Sequence, residues 1–121
     1  MNRGSTMTWT IWHNPRCRKS RETLALLEDN GITPTVRLYL KDTPSEDEIR
    51  IVLGYLDKPA KALVRLKDPI ARELNLKDLP DESDKCVHAM AAHPALIERP
   101  VVIRDHRAVL GRPPDAVLEL L

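Results

Sequence analysis

The segment His13-Asn14-Pro15-Arg16-Cys17-Arg18-Lys19-Ser20-Arg21 gathers the residue types that could do chemistry. Its cysteine follows a strand-like run and precedes a helical one. That order sets the thiol at a helix N-terminus, where unpaired amides and the positive end of the helix dipole favour a thiolate. Thiolate is the reactive form, and an ordinary cysteine with a pKa near ~8.5 is mostly protonated at neutral pH. The amides of Arg18, Lys19 and Ser20 would open the helix, and His13 can donate to the sulfur or charge-pair with it. The same amides make an anion pocket. Cys17 is therefore a candidate nucleophile lying in a cradle for a tetrahedral oxyanion.

An oxyanion also needs countercharge from elsewhere in the chain. Arg99 abuts Pro100 just ahead of a strand, and Arg112 follows the last strand, so both are expected to face the Cys17 loop. Arg65 closes a short helix. A guanidinium's planar fork matches a tetrahedral oxyanion better than an ammonium does. Ser20, in the first helical turn, is expected either to cap the helix or to bond the sulfur. Arg16, Arg18, Lys19 and Arg21 read as solvated charge with weak steering. Cys86 reads as a core or surface thiol on a helix, and His88 and His93 as structural. Cys17 and His13 find no third ligand nearby, so no metal site is expected. A phosphatase-type Cys-x5-Arg loop is absent, because position 23 is Thr.

These residues need a scaffold. Residues 1–7 read as a leader- or tag-like segment and 8–121 as a single domain. Thr8-Trp9-Thr10-Ile11-Trp12 is β-branched and aromatic, hence a strand, and Asn14-Pro15 a turn. A helix is expected from Arg18 to Asn30, burying Leu24, Ala25 and Leu27, with Gly31 at its C′ position. Thr35–Leu40 gives the next strand, so residues 8–40 form a βαβ unit with parallel strands.

Ser45 and Glu48 make a capping box before Ile49, Val52, Leu53 and Leu56, whose spacing is helical. Prolines then punctuate short helices at Ala60–Val64 and Ile70–Leu74, and a longer one covers Glu82–Ala92 with Val87, Met90 and Ala91 inward. Residues 41–98 are thus a helical insert. In 99–121, Val101–Ile103 and Ala108–Leu110 form a hairpin, and a helix runs from Pro114 to Leu121. This order resembles an α/β, thioredoxin-like (glutaredoxin-like) core: a four-stranded mixed sheet with a helical insertion. That fold places a cis-proline before its third strand, facing the active thiol, and Pro100 is the candidate.

Four motifs make the resemblance specific: His-Asn-Pro-x-Cys-x-x-Ser-Arg, Ala-Leu-Val-Arg at 62–65, His-Pro-x-Leu-Ile-x-Arg-Pro at 93–100, and Gly-Arg-Pro-Pro at 111–114. Together they resemble the glutaredoxin-coupled arsenate reductase family (ArsC type). The resemblance implies that Cys17 attacks arsenate, that His13 helps depress its pKa, and that Arg65, Arg99 and Arg112 hold the oxyanion, with Arg72 the alternative to Arg65. It implies glutathione as co-substrate and glutaredoxin as partner, with no bound cofactor. One enzyme thiol suffices, in keeping with Asn at position 14 and Ser at position 20, where a Cys-x-x-Cys pair would need a second cysteine. Two other readings stand beside it: an orphan thiol oxidoreductase of the same family, and a non-enzymatic partner-binding redox regulator, a class that usually carries the missing dithiol.

Composition agrees with a small-molecule reaction. Nineteen basic against eighteen acidic residues leave a formal charge of +1, so no general pull toward nucleic acid or anionic membrane is expected. No apolar run is long enough to span a bilayer, and no signal-like stretch opens the chain. Two widely separated cysteines suit a reduced, cytoplasmic setting.

Overall fold

The computed structural model describes residues 8–121, and the leader-like residues 1–7 lie outside the described part. The chain divides into two compact units, one of residues up to Leu38 with Arg99–Leu121, the other of Tyr39–Glu98. Among the described residues no helix is long and apolar enough to cross a membrane.

The first unit holds a four-stranded mixed sheet: β1 (Trp9–Trp12), β2 (Thr35–Arg37), β3 (Val101–Arg104) and β4 (Arg107–Leu110), in the order β2-β1-β3-β4. β1 runs parallel to β2 and antiparallel to β3, and β3 pairs antiparallel with β4. This is the expected α/β, thioredoxin-like arrangement. β2 is shorter than its sequence suggests, ending at Arg37 rather than Leu40. Its one neighbour, β1, turns away at Asn14-Pro15, so residues 38–40 have no ladder to join; the last link is the His13 amide donating to the Arg37 carbonyl at 2.8 Å.

Helix α1 (Arg18–Asp29) crosses between β1 and β2. It buries Ser20, Thr23 and Leu27, spaced for one helical face, while Ala25 is exposed and only Leu24 and Leu27 of the expected set pack inward. Gly31 takes a left-handed conformation (φ 78°) just past the helix end, and its amide donates to the Glu28 carbonyl at 3.0 Å. Ile11, Leu27, Val102, Val117 and Leu120 form the core of this unit. The C-terminal segment Pro114–Leu120 is 3-10 rather than α-helical. Pro114 brings no amide donor to its start, and the carbonyls of Glu119 and Leu120 are taken by the side chains of Arg107 and Arg104.

In the second unit, α2 (Glu46–Leu56) begins at the expected capping box: the Glu48 amide donates to Ser45 Oγ at 3.1 Å and the Ser45 amide to Glu48 Oε1 at 3.0 Å. The stretch expected as a helix over Ala60–Val64 is a 3-10 turn, Ala60–Leu63, followed by an antiparallel bridge between Val64 and Ile97. α3 covers Pro69–Glu73, and 3-10 turns follow at Leu76–Asp78 and Pro94–Leu96. α4 (Asp84–Ala92) starts two residues later than Glu82 because Ser83 caps it, accepting from the Lys85 amide at 3.2 Å. Ala89, rather than Ala91, joins Cys86, Val87 and Met90 on the buried face.

Candidate active site

The loop between β1 and α1 is shaped by local hydrogen bonds. Pro15 ends the strand ladder because it has no amide to offer. Asn14 closes the turn twice: its carbonyl accepts from the Cys17 amide at 2.9 Å and its Oδ1 from the Arg16 amide at 3.0 Å. Cys17 is thereby delivered to the N-cap of α1 with extended backbone angles (φ −92°, ψ 123°) and a partly exposed side chain.

Burial alone would push the Cys17 thiol up. Against it act the Ser20 amide, a hydrogen bond from the Arg99 side chain, the Arg99 charge and the Lys19 amide, and together these hold the pKa below its ordinary value. The sulfur therefore meets two helix-opening amides of α1 and one guanidinium from the segment just before β3. Arg99 has a further property. Its Nε is buried and has no hydrogen-bond partner among the described residues. A buried, unsatisfied guanidinium donor beside a thiolate is a place for an anionic oxygen.

His13 and Ser20 form a pair under this loop. His13 is buried, and its Nδ1 lies 2.7 Å from Ser20 Oγ, which also accepts from the Asn14 amide at 3.1 Å. Ser20 is fully buried. Its hydroxyl thus braces the loop while its amide serves the sulfur. Desolvation, with the Arg21 charge adding to it, lowers the His13 pKa, so the ring is neutral at neutral pH. The His13 ring thus lies against Ser20 Oγ and not among the groups expected to act on the sulfur, where the positive charge in contact is that of Arg99.

The lowered pKa fixes the sign of a pH effect. The unfolded chain binds the His13 proton more readily, so this group's contribution to stability is complete above about pH 6.5 and is lost as pH falls from there through the lower folded pKa. Chemical denaturation at pH 7.5 and 5.5 is expected to show a larger acid loss in the wild type than in His13→Gln. Equal losses in the two proteins would remove the buried neutral ring from the account.

Arg99 precedes a cis peptide bond to buried Pro100, whose carbonyl accepts from the Gly111 amide at 2.9 Å. Arg112 follows Gly111, is exposed, and precedes a second cis bond to Pro113, which the sequence reading did not foresee. Arg65 belongs to the second unit. There its amide donates to the Leu96 carbonyl at 2.7 Å, and its guanidinium lies 3.8 Å from Asp68 and 3.9 Å from Glu98. Arg72 lines an open cleft of about 510 Å³ with Lys67 and Lys77. So the first unit brings Cys17, Ser20 and Arg99 into contact, with His13 behind Ser20.

Cys86 is fully buried, and burial pushes its thiol up. His88 is exposed, with its Nδ1 3.0 Å from Glu46 Oε2. His93 ends α4 and leads into the Pro94 turn. Among the described residues no three His, Cys, Asp or Glu groups come together as ligands.

A thioredoxin-like sheet with a partly exposed cysteine of lowered pKa at the first helix and a cis-proline before the third strand defines a single-thiol member of that fold. The chain belongs to the ArsC family, whose model matches residues 12–120. An arsenate reductase of Haemophilus influenzae is 45% identical over 118 residues, covering 95% of this chain and 100% of that protein. The uncharacterized protein YfgD of Escherichia coli is 44% identical over 112 residues, covering 92% of this chain and 94% of its own. The solved structure of an arsenate reductase from Vibrio cholerae superposes with a TM-score of 0.90 at 48% identity, covering 97% of this chain and 100% of that one.

Proposed function

We propose that this chain is an arsenate reductase in which the Cys17 thiolate attacks arsenate and glutathione and glutaredoxin complete the reduction. The observation that carries the reading is the Arg99 guanidinium: it bonds the Cys17 sulfur and keeps a buried Nε without a partner among the described residues. An arsenate oxygen placed against the sulfur would satisfy that donor, and the Lys19 and Ser20 amides lie at the same atom. The names of the H. influenzae and V. cholerae relatives point to the same substrate.

The steps follow from the chemistry. Sulfur–arsenic bond formation expels an arsenate oxygen as water once protons reach it. Glutathione replaces a second oxygen, giving arsenic held between two sulfurs. A glutaredoxin thiolate then attacks the glutathione sulfur, forming a mixed disulfide and leaving the electron pair on arsenic. Arsenic is now As(III), and water releases arsenite from Cys17. No second enzyme thiol takes part, which suits a loop with Asn14 and Ser20 in place of a dithiol and a Cys86 that is buried and held protonated. Glutathione as reductant implies a cytoplasmic setting. In this reading Arg112 serves the oxyanion and its adducts beside Arg99.

The test is arsenate-dependent NADPH oxidation with glutathione, glutaredoxin and glutathione reductase. A rate that requires all three and this protein is expected. A rate supported by a thioredoxin system alone would overturn the glutathione coupling. No rate with either system would overturn the substrate and leave an orphan thiol oxidoreductase.

A further inference from the structure

Between the thiolate loop and the last strand lies a contact that involves no reacting group. Gly111 directly follows β4, and its amide donates to the Pro100 carbonyl. A Cβ at Gly111 would stand 2.6 Å from Thr23 Oγ1, 2.7 Å from Pro100 Cγ and 3.1 Å from Thr23 Cγ2. Those separations are below van der Waals contact, so no side chain fits without movement. Gly111 is not in the left-handed region, in contrast to Gly31. What this position requires is space.

Neither neighbour can yield freely. Pro100 is a buried ring whose carbonyl is held by the Gly111 amide. Thr23 is fully buried, and its Oγ1 donates to the Lys19 carbonyl at 2.7 Å. Each is one residue or one hydrogen bond away from a group that stabilises the thiolate. Pro100 directly follows Arg99, whose guanidinium bonds the sulfur. Thr23 holds Lys19, whose amide also reaches the sulfur. Pressure from a side chain at position 111 is therefore transmitted to both walls of the site.

We propose that Gly111 is a positioning residue: its bare Cα lets β4 close on Pro100 and Thr23, and that closure sets Arg99 and the first turn of α1 against Cys17. The proposal rests on Cys17 acting as a thiolate, as the proposed function requires, but not on arsenate being the substrate.

The experiment follows alkylation of Cys17 by iodoacetamide across pH, with the modified peptide quantified by mass spectrometry. In Gly111→Ala the midpoint of the pH profile is expected to move upward. At a fixed pH below that midpoint the rate falls about tenfold, the scale on which a close opposite charge acts. Gly31→Ala is the control. Its left-handed backbone makes alanine strained there, and it lies at the far end of α1, so it costs stability while keeping the wild-type midpoint. Should Gly111→Ala fold poorly, the pair Gly111→Ala with Thr23→Ala removes two of the three overlaps and leaves the one with Pro100 Cγ. Its midpoint stays raised above that of Thr23→Ala alone, which loses the bond to Lys19 but has no overlap at position 111. An unchanged midpoint in folded Gly111→Ala, a double variant no higher than Thr23→Ala, or an equal shift in Gly31→Ala would overturn the proposal. Because no arsenate is present, failure of the substrate reading would leave this result standing.

Discussion

Cys17→Ser is expected to bring arsenate-dependent NADPH oxidation down to the rate without protein, a loss of at least about three orders of magnitude. The substitution is nearly isosteric, so the Asn14 turn, the Ser20–His13 pair and the Arg99 side chain keep their geometry. What disappears is an ionised soft nucleophile. A serine hydroxyl at this position stays protonated, because two amides and one guanidinium cannot bring an alcohol into the neutral range. An oxygen bound to arsenic also cannot hold the arsenic–sulfur adduct from which As(III) is released. A Cys17→Ser protein that folds, binds arsenate and still turns over would mean that another group carries the reaction.

Arg99→Gln is expected to lower kcat/KM for arsenate by about 10²–10³-fold. Two effects combine in this one side chain. It contributes both a hydrogen bond and a charge to the sulfur, so without it burial acts less opposed and the thiol pKa rises toward its ordinary value. It also carries the unsatisfied buried Nε, the donor that an oxyanion would take. The two can be separated. Raising pH until Cys17 is fully ionised restores the nucleophile but not the donor, so the defect in Arg99→Gln shrinks with pH without vanishing. Complete rescue at high pH would confine Arg99 to the sulfur. Lysine at this position is a point charge in place of a fork and is expected to rescue only in part.

The features most legible in the sequence are those written in neighbouring residues. The β-branched run of β1, the Ser45–Glu48 box and Gly31 all act within a few positions of themselves, and each lies where its residue type predicts. Cys17 was legible for the same reason: strand, Asn-Pro turn and helix start follow one another directly. The errors arose where distant partners decide. β2 stops at Arg37 because β1 turns away, which the apolar pattern of Leu38 and Leu40 cannot report. Ala25 is a good helix residue on the wrong face, whereas Thr23 is buried where the chain after β4 packs at Gly111. Gly111 shows the limit most clearly. Its motif, Gly-Arg-Pro-Pro, draws attention to the arginine, and the need for an absent Cβ becomes visible only once Thr23 and Pro100 flank it.

His13 illustrates a further limit. Its place in the loop suggests donation or charge pairing at the sulfur, whereas the fold sets its ring against Ser20 Oγ and burial, together with the nearby Arg21 charge, keeps it neutral. Sequence spacing carries no information about desolvation.

The account depends on one sulfur being held more acidic than an ordinary thiol while the other is held less so. Residue-resolved titration of 13Cβ-labelled cysteines measures this directly in the resting protein. Cys17 is expected to titrate below the ordinary thiol value of about 8.5 and Cys86 above it. A Cys17 midpoint at or above that of free cysteine would contradict the thiolate held by Arg99 and the α1 amides, and with it the chemistry proposed for this site.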